Sequence, residues 1–134
     1  MIWVDIIVEN TIPNWKLGKV FQELLNIPLE RIQIIEGYDD FPDTNTMSLV
    51  CQKSLFHAGF VMMLSIYLFG EIAENNPNHD GFVSRFSMLT NCKCLLPSES
   101  NNPSQMLLYE GTTKEIVYID ENIFERDGIY LLKQ

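Results

Sequence analysis

Between Gly59 and Gly70 the chain runs FVMMLSIYLF, from Phe60 to Phe69, apolar on both faces except at Ser65. Such a segment has to be covered on both sides, as a central strand or as a buried helix. Its β-branched and aromatic residues, with glycine stops at either end, predict a central strand. The wider apolar stretch, Leu55 to Phe69, spans fifteen residues and contains His57. That is short of the roughly 20 residues a membrane-crossing helix needs, so its expected place is the core.

The other elements arrange themselves around this run. Ile2, Val4, Ile6 and Val8 alternate with Trp3, Asp5, Ile7 and Glu9, the period of a strand with one buried face. Pro13 and Asn14 open a helix whose apolar positions are Leu17, Val20, Phe21, Leu24 and Leu25, ending near Asn26 before Pro28. A short strand is expected over Arg31 to Glu36, a polar loop over Gly37 to Asn45, and a third strand where Met47, Leu49 and Cys51 alternate with Ser48, Val50 and Gln52. Glu71 to His79 reads as a helix end or loop, and Asp80 as the cap of an amphipathic helix to about Asn91 bearing Phe82, Val83, Phe86 and Leu89. Lys93 to Leu96 looks like an edge strand. Gln105 to Glu110 and Lys114 to Asp120 form a hairpin about Gly111, Thr112 and Thr113, and Ile129 to Leu132 adds a last edge strand. The expected fold is α+β: a mixed, largely antiparallel sheet of five to seven strands with two helices.

At 134 residues, 46% of them apolar, and with no internal repeat or long linker, residues 1–134 make one compact domain. Eighteen Asp plus Glu against nine Lys plus Arg give a net charge of −9. Phosphate binding relies on clustered cations, so nucleic acid and anionic membrane surfaces are disfavoured, whereas a basic protein would be steered in. The same charge also serves simply to keep a small protein soluble. Three cysteines, Cys51, Cys92 and Cys94, are too few for a disulfide framework and read as reduced thiols. The first nine residues carry Asp5 and Glu9 without a positive region, unlike a secretory signal. A cytoplasmic location is expected.

Candidate chemistry is sparse. Cys92, Cys94 and His79 fall short of the four ligands a structural zinc takes. Cys51 and His57 would act as a nucleophile and base only if folding brought them within hydrogen-bond reach, and a strand cysteine beside a turn histidine is the plainer reading. His79, Asp80 and Gly81 suggest a His-Asp metal site, but the further histidines are missing, and a helix cap accounts for them better. No glycine-rich phosphate cradle or nucleophile elbow is present. Neither a cofactor nor a metal is expected.

The most distinctive polar feature is Glu36-Gly37-Tyr38-Asp39-Asp40-Phe41-Pro42-Asp43, four carboxylates and two aromatics in one loop. It lacks the glycine and closing glutamate offsets of a calcium loop. Carboxylates that stand in for phosphates, with aromatics as anchors, suit the basic cleft of a nuclease-like protein. The alternative is a solvated acidic loop with Phe41 tucked into the core. Glu36, Tyr38, Asp39, Asp40, Phe41 and Asp43 are therefore candidate partner-binding residues. Glu99 joins them from the polar loop Pro97 to Ser104, which either presents a second contact surface or merely connects two strands.

The helix expected over Phe82 to Cys92, the segment LLPSESNNPSQMLLYEG from Leu95 to Gly111 and EIVYID from Glu115 to Asp120 resemble small immunity proteins of bacterial contact-dependent growth inhibition and related polymorphic toxin systems. In those proteins a helix precedes a Ser/Asp-rich, Pro-containing loop and a hairpin. The resemblance covers about the C-terminal third and includes no catalytic residue. It implies a cytoplasmic protein that binds and neutralises the toxin domain of a cognate effector. Two other readings stay open: a secretion chaperone holding an effector segment, although this chain begins with a strand and not a helix, and a small enzyme using Cys51.

Overall fold

The apolar run becomes β4 (Met62–Leu68), the strand that the sequence places at the centre of the sheet. It pairs antiparallel with β1 (Val4–Val8) on one side and with β3 (Leu49–Leu55) on the other. The computed structural model describes residues 1–37 and 39–133. Beyond β3 lies β2 (Ile32–Glu36), and beyond β1 lie β5 (Cys94–Pro97), β6 (Gln105–Glu110) and β7 (Thr113–Tyr118). The seven strands stand in the order β2-β3-β4-β1-β5-β6-β7, and only β2 and β3 pair in parallel. The fold is α+β, with a mixed, largely antiparallel sheet.

Four helices accompany the sheet. α1 (Asn14–Leu25) and α3 (His79–Thr90) are the two expected; α2 (Glu71–Asn75) and α4 (Glu121–Asp127) are shorter additions. Asn26, Asn76 and Asn91 follow the first three in left-handed conformation, which asparagine tolerates better than most residues and which closes a helix end. The cap of α3 is Asn78, whose Oδ1 accepts the Gly81 N–H at 2.9 Å, and not Asp80. The cap lies two residues earlier because Asn78 is the last extended residue, leaving Asp80 in the first turn with its carboxylate free for other partners.

Alternation divides the sheet into two faces. Val4, Ile6 and Val8, with Leu49, Cys51, Leu64 and Ile66, face α1 and α3, where Phe21, Phe82 and Phe86 stack at centroid distances of 5.9–6.3 Å. Each such fully buried side chain contributes roughly 1.5–3 kcal/mol, so this larger cluster dominates stability. Lys53 also points to this face and is buried. Its ammonium donates to the Ile12 carbonyl and to Asn14 Oδ1, both at 2.9 Å, tying the start of α1 to the sheet. On the opposite face a smaller cluster gathers Ile7, Phe60, Leu95, Met106, Leu108 and Ile119.

Two strand assignments need correction. Lys93 to Leu96 is no edge: β5 sits between β1 and β6, because the β6-β7 hairpin adds beyond it. Ile129 to Leu132 does not form a strand of the sheet. It runs as a strap over the smaller cluster, held by single bridges between Phe60 and Tyr130 and between Ile119 and Leu132. No helix among the described residues is long and apolar enough to cross a membrane.

The strap rests on Gly59, which has φ +71°. A Cβ there would run into the Tyr130 carbonyl oxygen, with Ile129 Cγ2 2.8 Å away. Gly59→Ala is expected to cost roughly 1–3 kcal/mol in chemical denaturation and to speed amide exchange first around Tyr130. Unchanged stability and exchange would mean that the strap is not closed on this loop.

Candidate functional site

Parallel strands cannot be joined by a tight turn, and the connection between β2 and β3, residues 37–48, travels back along the sheet. It crosses the face away from α1 and α3. Phe41 packs edge-on against Tyr67 at 4.9 Å and Phe69 at 6.2 Å, and Gln52 Nε2 donates to the Gly37 carbonyl at 3.1 Å. Phe41 nevertheless stays 43% exposed, lying on the sheet and not within the core.

The loop carboxylates are engaged only locally. Asp39 Oδ2 accepts the Glu36 N–H at 2.8 Å, and Asp43 Oδ1 accepts the Asn45 N–H at 3.0 Å at the head of a short 3-10 turn. Glu36, Asp39, Asp40 and Asp43 are all exposed. The two ion pairs among the described residues lie elsewhere, Lys114 with Asp80 and Arg126 with Asp127. Lys53, a cross-strand neighbour of Glu36, is turned into the core instead. Tyr38 lies outside the described residues. The structure thus gathers Asp39, Asp40, Phe41 and Asp43 on one crossover, with Glu36 before it at the end of β2, on the face shared with Lys53.

Glu99 is not part of that group. It follows β5 on the far side of β3, β4 and β1, where it borders a cleft of about 910 Å³ with Trp3, His79, Asp80, Tyr109 and Lys114. Asp80 Oδ1 accepts from both Tyr109 Oη and Lys114 Nζ, each at 2.7 Å. These two bonds, that from Lys114 first, hold the Asp80 carboxyl below the usual carboxylate range. Burial, and then the bond to Asp80, pushes the Tyr109 hydroxyl well up. Trp3 stands edge-to-face against His79 and Phe82, both at 5.0 Å, and its buried indole N–H has no conventional acceptor among the described residues. Nothing in the sequence ties Trp3, Tyr109 and Lys114 together, since only the sheet order makes them neighbours.

A third feature was also missed. Between α1 and the outer side of β2 runs a groove of about 500 Å³ lined by Trp15, Gly18, Leu29, Ile32 and Ile34. Trp15 is 68% and Leu29 46% exposed. Trp15 falls outside the apolar stripe Leu17, Val20, Phe21, Leu24 that packs on the sheet, and that displacement was the signal available in the sequence.

Cys51 and Cys94 are core residues, while Cys92 is half-buried. Cys51 has no exposed surface, and burial pushes its thiol far up, out of the range where a thiolate nucleophile forms. His57 stands exposed in the loop between β3 and β4, with no hydrogen bond to Cys51. Cys94 is likewise buried, its thiol raised by burial first and by Cys92 and Glu9 after it. Among the described residues no group of three or more His, Cys, Asp or Glu is placed to hold a metal ion.

Comparison with protein-family models, with curated proteins and with solved structures gave no match to this chain.

The Asp80 arrangement can be titrated. A depressed carboxyl pKa stabilises the fold above its unfolded value of about 3.9, and the contribution is lost as pH falls through the lower folded value. Both Asp80 and Lys114 are about half exposed, so the pair is worth less than about 1 kcal/mol. In Lys114→Met the Asp80 carboxyl carbon, followed by NMR, should titrate at higher pH than in the parent chain. An unmoved midpoint would show that Lys114 does not hold it.

Proposed function

We propose that this chain is a cytoplasmic inhibitor of a basic protein, acting as an immunity protein does on a nuclease-like toxin domain. One observation carries the reading: the crossover presents Asp39, Asp40 and Asp43 to solvent beside the half-exposed ring of Phe41, with Glu36 exposed just before it at the end of β2, and none of the four carboxylates has a described cation within ion-pair distance. Unneutralised carboxylates raise the encounter rate with a positive cleft, and an aromatic at their centre supplies an anchor that excludes water. The crossover touches the sheet at Gly37, through Gln52, and at Phe41, through Tyr67. Inhibition is by occlusion. An interface of roughly 1,600 Å² covers the active cleft, with loop carboxylates where the toxin would hold phosphates. The C-terminal resemblance and the net charge of −9 support the same partner class.

The test replaces Asp39, Asp40 and Asp43 together with Asn. The amide oxygens of Asn can still accept the Glu36 and Asn45 N–H groups, so the crossover keeps its shape. The partner is first captured from lysate of the native host at low salt and identified by mass. Its association rate with the triple variant is then expected to fall roughly tenfold at low ionic strength, with a flatter salt dependence and an unchanged circular dichroism spectrum. Equal rates for variant and parent would take the loop out of the interface.

A further inference from the structure

α1 packs on the middle of the sheet and covers the outermost strand, β2, only in part, so that half-buried Ile32 and Ile34 floor the groove of about 500 Å³. Trp15, Gly18 and Lys19 share one face of α1, at spacings of three and four residues, and form its wall. Trp15 and Leu29 are its exposed rim. Gly18 is the informative residue. A glycine inside a helix is less stable than alanine, and it is ordinarily kept where a neighbour stands too close for a Cβ. Here the one atom outside its own helix that a Cβ would meet within 4 Å is Leu29 Cδ2, at 3.5 Å, an ordinary van der Waals contact. Packing therefore does not require the glycine. What its missing side chain does is keep the groove open.

The polar groups at the groove favour an anion. Lys19 is the only charged residue in the lining, and no described carboxylate lies within ion-pair distance of it. Asn14, also in the lining, spends its Oδ1 on the ammonium of Lys53, which leaves its side-chain N–H groups to donate. Lys53 is itself only 8% exposed and meets two neutral oxygens, while Glu36, its cross-strand neighbour, stays beyond ion-pair distance. Its charge is therefore not cancelled behind Asn14. α1 has no acid in its first turn, and Glu30, next to Leu29, lies outside the lining. In a chain of net charge −9 the groove is a local reversal of sign. We infer that the groove is a binding site for a small organic acid: an aromatic or aliphatic body lies on Ile32 and Ile34 beside the Trp15 ring, and the carboxylate pairs with the Lys19 ammonium. Apolar walls supply most of the contact and one cation fixes the orientation, a common arrangement in sites of roughly 300–1,000 Å³. The site lies on the opposite face from the acidic crossover and does not depend on the partner reading above.

The probe is octanoate, with octanol and octylamine as neutral and cationic controls of the same chain length, each added to the full isotope-labelled chain. With octanoate, saturable shifts are expected at the Trp15 indole N–H and the methyl groups of Leu29, Ile32 and Ile34, while the Trp3 indole stays unmoved. Octylamine should bind at least roughly tenfold more weakly, and Lys19→Gln should weaken octanoate roughly tenfold with no change in melting temperature. Gly18→Ala should raise the melting temperature and weaken octanoate several-fold, because its methyl enters the groove. A lower melting temperature in Gly18→Ala would show that packing demands the glycine and would overturn the open-groove argument. Equal affinity for all three probes would overturn recognition of the acid, and shifts that lie elsewhere or do not saturate would overturn the site. Concentration-dependent shifts at Trp15 without any probe would assign the groove to a second copy of this chain and overturn the small ligand.

Discussion

The parallel pairing of β2 with β3 is the constraint from which the rest of the molecule's surface follows. Register from Ile32 opposite Leu49 to Glu36 opposite Lys53 leaves the chain at the wrong end of the sheet, and residues 37–48 have to return along it. With α1 and α3 already on one face, the return path lies on the other. Parallel pairs are ordinarily buried within a sheet, yet here the pair forms its end. The same pairing therefore exposes an acidic crossover beside a short end strand whose terminal residues are held by Leu29 and Asp39.

The two faces of the sheet carry different duties. The face under the helices holds the stacked phenylalanines and the buried Lys53, whose ammonium is satisfied by two neutral oxygens and not by a carboxylate. Removing one acceptor would strand a charge in the core, a far larger penalty than losing any surface ion pair. The opposite face is covered by the crossover, through Phe41, and by the strap, through Tyr130 and Leu132, with Phe56 and Phe124 packed on Tyr130. Between these covers Ser65 donates to Asp5 at 2.6 Å and Tyr67 to Gln52 at 3.3 Å, a polar line across the middle of the sheet.

Much of the architecture was legible in the residues. Period-two alternation located β1, and the apolar run with its glycine stops located β4. Helical spacing located α1 and α3, and the Gly111 turn located the β6-β7 hairpin. Pairing direction and strand order were not, because they depend on contacts between residues far apart in the chain, such as Cys94 opposite Val8. α4 did announce itself: Asp120 caps it by accepting the Ile123 N–H, Arg126 sits in its last turn and Gly128 closes it. At seven residues and without an apolar stripe, the helix adds no hydrophobic period to those end signals. Of the site, the acidic crossover could be read as a sequence cluster, and Phe41 occupies a position between the core and solvent readings. Glu99 could not be placed, since its neighbours Trp3 and Lys114 come from opposite ends of the chain.

The manner in which the crossover is attached separates its exposed charges from the contacts that keep the chain folded. Phe41 and the Gly37 carbonyl fasten the loop to the sheet, whereas the Asp39 and Asp43 carboxylates accept only from the nearby Glu36 and Asn45 amides. Substitutions at those carboxylates leave every core contact in place. The charge of this surface can therefore change from one variant to the next without the fold passing through an unstable state.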